Sequence, residues 1–307
     1  MASVLLTRRV PSSVLSLLQS HHTVDLFTGD SPFAAISRDE LLRRVAGKDA
    51  LISVLTDRID GEVLDAAPAL KVVANIAVGY DNIDVPAARQ RGVIVTNTPD
   101  VLTEATAELT WALILGVARR VAEGDRLVRA GGWKGWALDF MLGTELRGKQ
   151  LGILGRGRIG RAVAAKAPAF GMKAVFAKHD MTFDQLLVSS DVISIHIPGA
   201  PETRHLFDKK TFARMKRSAF LVNAGRGSVV DEEALVWALN ERLIAGAALD
   251  VYEREPDVHP GLKAFENVIL APHLGSATRE TRTAMAELAA RNAIAVLAGD
   301  EPLTPVP

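Results

Sequence analysis

Gly225-Arg226-Gly227 sets an arginine between two glycines, with exposed backbone and a guanidinium whose shape could fork onto a carboxylate. Further along stand Asp250-Val251-Tyr252-Glu253-Arg254-Glu255-Pro256 and Pro272-His273-Leu274-Gly275-Ser276. The arginine, an acid from the first segment and the histidine of the second could form an anion clamp with a His–carboxylate acid–base pair. Alone, each has a plainer reading: a surface arginine, a helix-starting glutamate, a turn histidine. They gain weight from a loop upstream, Gly155-Arg156-Gly157-Arg158-Ile159-Gly160. It follows an apolar run, Gln150–Leu154, and opens a helical stretch, Arg161–Ala167. Glycines in that place permit a tight turn and let the backbone approach a pyrophosphate, while the helix N-terminus supplies N–H donors.

A dinucleotide loop of this kind needs a selector about 20 residues on, at the end of the next strand. An acid there binds the ribose 2′-OH of NAD; a cation accepts the 2′-phosphate of NADP. Lys178 and His179 occupy the place and favour NADP; Asp180 follows and could take the acidic role instead.

The elements that must carry these groups are short β-branched runs alternating with longer helical patterns. Strands are expected at Val4–Leu6, Val24–Phe27, Ala50–Leu55, Val72–Ile76 and Val93–Thr96. A second set is expected at Gln150–Leu154, Lys173–Ala177, Val192–Ile197, Ala219–Asn223, Gly246–Asp250 and Val268–Leu270. Strands separated by helices imply βαβ units and parallel sheets, and near-continuous apolarity implies strands covered on both faces. Two sets imply two α/β domains, with a boundary near Thr98-Pro99-Asp100. A long helix is expected from Thr103 to about Arg129. It is apolar on nearly every side from Leu109 to Val117, so it should be buried all round, between domains, between subunits or both. A last helix, Thr278–Ala298, could return to the first domain.

Composition narrows the function classes. The 307 residues suit about two domains, and 48% hydrophobic with 23% charged residues is globular. Lys+Arg and Asp+Glu number 36 each, with no basic stripe, so nucleic acid is not an expected partner. There is no cysteine, hence no disulfide framework, thiol catalysis or Cys-type metal site, and no metal is expected. The longest apolar candidate, Leu109–Ala118, is too short to span a membrane. Arg8 and Arg9 interrupt any secretory h-region, and Ser3–Thr7 reads better as a strand than as part of a mitochondrial presequence, so a cytoplasmic place is expected.

The segments Ala74-Asn75-Ile76-Ala77-Val78-Gly79-Tyr80-Asp81-Asn82-Ile83-Asp84, LGILGRGRIG (151–160), NAGRGSVVDE (223–232) and APHLGSAT (271–278) together resemble the D-isomer-specific 2-hydroxyacid dehydrogenases. The likeness runs in order over nearly the whole chain. Met141-Leu142-Gly143 and Gly132-Trp133-Lys134-Gly135-Trp136 resemble the glyoxylate/hydroxypyruvate reductase branch. The resemblance implies an α/β architecture of two Rossmann/flavodoxin-like doubly wound parallel-sheet domains. Residues 1–98 and 277–307 would form a discontinuous substrate (catalytic) domain and residues 99–276 the dinucleotide-binding domain, in a homodimer built around the long apolar helix.

It also implies roles. Arg226 would bind the substrate carboxylate and orient the 2-oxo group. His273 would donate a proton to the carbonyl oxygen as hydride arrives at C2. Glu255, rather than Glu253, would hold the imidazole. Val78 and Gly79 would grip the carboxylate through backbone N–H groups, Leu55 would line the pocket, and Phe140 would be the aromatic that a partner subunit contributes. Cofactor contacts would fall on Thr106, Gly155, Gly157, Arg158, Ile159, Gly160, Lys178, His179, Pro198, Ala224, Asp250 and Gly275. The expected reaction is reduction of a small 2-oxo acid, glyoxylate or hydroxypyruvate first, with NADP favoured over NAD. The alternatives are a dinucleotide-sensing, corepressor-like binding protein and a formate- or phosphite-type dehydrogenase on the same fold. One departure stands out: only residues 179–182 separate Lys178 from Phe183, where relatives have a longer loop. His196 reads as a core or backbone-contact residue, and His21, His22, His205 and His259 receive no role.

Overall fold

The computed structural model describes every residue except Pro32. It forms two compact units, Met1–Leu102 with Thr278–Pro307, and Thr103–Ala277. The first unit carries β1 (Ser3–Leu6), β2 (Thr23–Leu26), β3 (Ala50–Val54), β4 (Val72–Ile76) and β5 (Ile94–Thr96), all parallel, in the order β2-β1-β3-β4-β5. Alternate residues enter two cores. Leu5, Leu51, Val73 and Val95 pack against Leu41, Val63 and Leu64 on one face. Val4, Leu6, Ile52 and Ala74 meet Val14 and Leu18 on the other, together with Ala286, Ala289, Ala290 and Ala293 of the terminal helix Arg279–Ala298. Burial on both faces is why these strands read as unbroken apolar runs. Thr304 and Val306 fasten the tail to the end of β5, through Asn97 O (2.7 Å) and Val95 O (2.8 Å).

The second unit carries β6 (Gln150–Leu154), β7 (Lys173–Phe176), β8 (Val192–Ile195), β9 (Phe220–Asn223), β10 (Gly246–Leu249) and β11 (Val268–Leu270). They form one parallel sheet in the order β11-β10-β9-β8-β6-β7, so β7 is an outer strand. Ile153, Val192, Val222 and Ala248 face the helices Thr103–Ala118 and Arg158–Lys166. Ile193, Ile195, Leu221 and Leu249 face Leu187, Phe207, Phe212 and Leu235. Both sheets are doubly wound, and each opens a crevice at the strand C-terminal ends where the order reverses.

Two expectations need correction. The helix from Thr103 stops at Ala118; Arg120 turns left-handed at φ +55°, and a separate helix runs Val121–Arg129. The break is fixed from outside: the Thr144 N–H donates to Ala118 O at 2.7 Å, and a Cβ on Gly143 would stand 2.7 Å from that same carbonyl. Within the single chain, Glu104, Glu108 and Ala112 form an exposed strip along this helix, four residues apart. Several strands also end early. Phe27, Leu55, Ala177, His196, Ile197 and Asp250 lie past the last ladder residue, although apolar or flanked by apolar residues, and Val93 and Ala219 lie just before the first residue of theirs. No helix of the described residues is long and apolar enough to cross a membrane.

Candidate active site

The glycine loop leaves β6 at the point where the chain crosses to the other side of the sheet. Its three glycines have three separate reasons. Gly155 sits at φ +100°, and a Cβ there would meet His196 O at 2.3 Å. A Cβ on Gly160 would stand 2.0 Å from Gly155 O, so the helix could not pack over the turn. Gly157 has nothing within 4 Å of a built Cβ and begins the helix Arg158–Lys166 without a side-chain cap. The turn is thus open on one side and presents first-turn N–H groups there. These residues fit a pyrophosphate.

Beyond β7 the chain turns at Lys178, left-handed at φ +65°, whose N–H donates to Met181 O at 2.8 Å. Lys178 and His179 are exposed. An Asp180 carboxylate oxygen accepts the Phe176 N–H at 2.7 Å, so the one acid in this turn serves the loop. Pro198, exposed, and Ala224, half-buried, lie in the loops after β8 and β9. His196 places Nε2 2.8 Å from Ser194 Oγ, while its buried Nδ1 has no partner. Burial lowers its pKa to about 4, so the ring is neutral near pH 7.

Arg226, Glu255 and His273 come from the loops after β9, β10 and β11, three neighbouring strands. Asn223, buried at the end of β9, shapes the first loop: its Oδ1 accepts the Gly225 N–H (3.1 Å) and its Nδ2 donates to Arg226 O (3.0 Å). The next residue, Gly227, lies against the following loop so tightly that a Cβ would stand 1.9 Å from the Tyr252 carbonyl. Glu255 then accepts the Tyr252 N–H (3.0 Å) through one oxygen and holds His273 Nδ1 (2.8 Å) with the other. Burial would raise the Glu255 carboxyl pKa. The hydrogen bond and charge of His273, the Tyr252 N–H and the nearby Arg226 charge outweigh it, and the net shift is downward. His273 Nε2 has no hydrogen-bond partner among the described residues, so this nitrogen can meet a substrate oxygen.

Asp250 supports the histidine. It is buried, and its two oxygens accept N–H groups from Leu274 (2.6 Å) and Gly275 (2.8 Å), while its carbonyl accepts that of His273 (3.0 Å). Burial pushes its carboxyl pKa up. Thr106 closes the same turn through Gly275 O at 3.1 Å. Glu253 belongs elsewhere. It binds His205 Nε2 and takes the Glu232 N–H, while Glu232, buried, accepts the N–H groups of Glu253 and His259. Sequence reasoning gave Asn223 and Glu232 no role. An asparagine at a strand end, two residues before a glycine, signals a side-chain-built turn, which could have flagged the first.

In the other unit, Leu55 follows β3 and Val78 and Gly79 follow β4. Asn75 ties the two strand ends together, donating to Gly79 O (3.0 Å) and Asn82 Oδ1 (3.1 Å) and accepting from Ser53 Oγ (3.2 Å). Asn82 in turn donates to Val54 O and Asp57 O. The Val78 and Gly79 N–H groups meet no acceptor among the described residues. Phe140 lies in an arm after the helix Val121–Arg129, with Trp133, Trp136, Leu138 and Leu142, all exposed.

Residues 111–275 match the family model of the D-isomer specific 2-hydroxyacid dehydrogenase NAD binding domain. A glyoxylate reductase from Thermofilum pendens is 48% identical over 97% of this chain and 92% of its own length. The crystal structure of the TT0316 protein from Thermus thermophilus superposes with a TM-score of 0.94 at 46% identity, covering 99% of this chain and 100% of that one. An NADPH-dependent glyoxylate/hydroxypyruvate reductase from Sinorhizobium meliloti, solved with NADP and malonate, superposes with a TM-score of 0.86 at 33% identity, covering 99% and 96%.

Proposed function

We propose, from the premise that this chain belongs to the D-isomer specific 2-hydroxyacid dehydrogenase family, that it reduces a small 2-oxo acid, glyoxylate or hydroxypyruvate, to the 2-hydroxy acid at the expense of NADPH, with NADH as the weaker cofactor. The observation that carries the chemistry is the His273–Glu255 pair at 2.8 Å with the Arg226 charge beside it. When bound, the reduced nicotinamide supplies hydride to C2. The protein's own share is to hold the acid and deliver a proton. Arg226 forks onto the substrate carboxylate and turns the carbonyl oxygen toward His273. Protonated His273, held at Nδ1 by ionised Glu255, gives the Nε2 proton to that oxygen as negative charge develops, and takes it back in the oxidation direction. Asp250 and Thr106 hold the His273–Gly275 turn and so position the imidazole.

Residues 1–98 and 277–307 serve in this reading as the substrate domain and 99–276 as the dinucleotide domain. Leu55 lines the pocket, and the Val78 and Gly79 N–H groups, which meet no acceptor among the described residues, add to the grip on the carboxylate. Gly155, Gly157, Arg158, Ile159 and Gly160 cradle the pyrophosphate; Lys178 and His179 face the adenosine end; Pro198, Ala224, Asp250, Thr106 and Gly275 border the nicotinamide half. The exposed apolar side chains gathered in the arm around Phe140 support a homodimer in which each copy covers the other's arm. A neutral, cysteine-free chain fits the cytoplasm. The deciding experiment is a spectrophotometric panel of NADH and NADPH against glyoxylate, hydroxypyruvate, pyruvate and a bulkier 2-oxo acid. Turnover of the two smallest acids, fastest with NADPH, is expected. Cofactor binding without turnover of any 2-oxo acid refutes the reading.

A further inference from the structure

Arg156 stands inside the glycine loop, between Gly155 and Gly157, yet the cradle just described gives it no task. Its guanidinium lies over the Phe176 ring, 5.8 Å from the centroid. Phe176 is the last residue of β7, two before Lys178. An aromatic face holds a cation in place without neutralising it. No carboxylate forms an ion pair with Arg156 among the described residues, and Asp180, the acid of the neighbouring turn, is engaged by the Phe176 N–H. Beside the guanidinium opens a cavity of about 650 Å³, lined by Arg156, Arg161, Lys173 and Phe176 over an apolar floor that includes Ala164 and Pro168. Because β7 is the outer strand, no further strand closes this side.

We propose that Arg156 is the side chain that reads the 2′-phosphate of NADP. In a dinucleotide laid across the ends of a parallel sheet, the adenosine ribose lies at the end of the second strand, here β7. The ring at that strand end is the one on which Arg156 rests. A planar guanidinium offers two parallel N–H groups to phosphate oxygens, a geometry the Lys178 ammonium cannot match. Lys173 lies at the opposite end of β7, about 10 Å along the strand at ~3.3 Å per residue, so of the cations lining this cavity Arg156 is the one that rests on the residue at the C-terminal strand end. The short turn after Lys178 leaves the strand end without a longer loop to supply the contact, and the glycine loop supplies it instead. The proposal rests on the NADP reading above and names the residue that selects.

The probes are adenosine 2′,5′-bisphosphate and 5′-AMP, which differ only in the 2′-phosphate. They are titrated calorimetrically against the full chain without substrate. The wild type is expected to bind the bisphosphate about tenfold or more tightly than AMP, in keeping with a charge-assisted hydrogen bond. Arg156→Gln should remove about tenfold to 100-fold of the bisphosphate and NADPH affinity and leave 5′-AMP and NADH within about twofold. Arg156→Lys should keep part of the preference and guards against a variant that loses affinity by misfolding. A wild type without preference for the bisphosphate overturns the NADP reading and this proposal together. A preference that survives Arg156→Gln but vanishes in Lys178→Gln overturns the role of Arg156 alone. Equal losses for bisphosphate and AMP also overturn it, by placing Arg156 on the 5′-phosphate.

Discussion

Gly227→Ala tests whether the registration of two loops is what brings the site together. The added methyl carbon would stand 1.9 Å from both the carbon and the oxygen of the Tyr252 carbonyl and 2.5 Å from the Glu253 nitrogen. These are backbone atoms with no rotamer to swing away. Ordinary contact begins near 3.4 Å, so the loops after β9 and β10 must part by about 1.5 Å. Arg226 lies one residue from this contact and Glu255 two residues beyond it, so the separation falls on the distance between guanidinium and carboxylate. A misplacement of about 1 Å can cost about 100-fold in rate, and a loss of that size or larger is expected in kcat/KM for glyoxylate. The glycine loop belongs to β6, so the Kd for NADPH, followed by its fluorescence, should change by no more than about threefold. Overpacking should also lower stability by roughly 1–3 kcal/mol, visible in a thermal melt. A Gly227→Ala enzyme with wild-type kcat/KM would show that the two loops place Arg226 and Glu255 independently, and the packing argument would fail.

Three further outcomes follow from the same geometry. Arg226→Ala should lower kcat/KM by about 10²- to 10⁴-fold, the worth of two charge-assisted hydrogen bonds, and Arg226→Lys should restore part of it; glyoxylate reduction at the wild-type rate in Arg226→Ala removes the residue from the clamp. The Glu255 carboxyl pKa is lowered in the fold, so its contribution to stability is complete above the ordinary carboxylate value of about 4.3 and is lost as pH falls through the lower folded value. The melting temperature of the wild type should therefore drop more steeply than that of Glu255→Gln through this acid range, and parallel curves would mean the His273 contact does not stabilise the fold. Asp250→Asn cannot accept both the Leu274 and Gly275 N–H groups; a loss of about 1–3 kcal/mol and a reduced kcat are expected, and a melt and kcat equal to wild type would free the His273 turn from Asp250.

Much of the architecture was legible because a strand covered on both faces must be apolar at consecutive positions. Val72–Ile76, Gln150–Leu154 and Val268–Leu270 come out with the bounds their composition suggests. The errors fall at strand ends, most of them by a single residue, and at C-terminal ends the expected strands run long. Leu55 and Ile197 are as apolar as the ladder residues before them; what ends the strand is the divergence of its neighbours, and composition does not record a neighbour. The break at Arg120 was hidden for a related reason. Arg119 and Arg120 are sound helix formers with no glycine or proline between them. Residues more than twenty positions downstream end that helix, where Thr144 takes the Ala118 carbonyl.

The site divides along the same line between local chemistry and distant support. Parallel strands connected by right-handed crossovers place β9, β10 and β11 side by side, about 4.8 Å apart. Polar groups just past their C-terminal ends must then be neighbours, so Arg226, an acid and His273 converge wherever this topology forms. What topology leaves open is which acid. Glu253 and Glu255 are two residues apart in one loop, and either could reach an imidazole on spacing alone. The choice is made by Glu232, which takes the Glu253 N–H, and by His205, which binds the Glu253 carboxylate and draws it away from His273. Both partners are of reactive types, a glutamate and a histidine, but nothing in their sequence positions ties them to Glu253. The groups that react can be picked out by type and strand position, whereas the groups that decide between equivalent reactants appear only once buried hydrogen bonds have been traced to both of their ends.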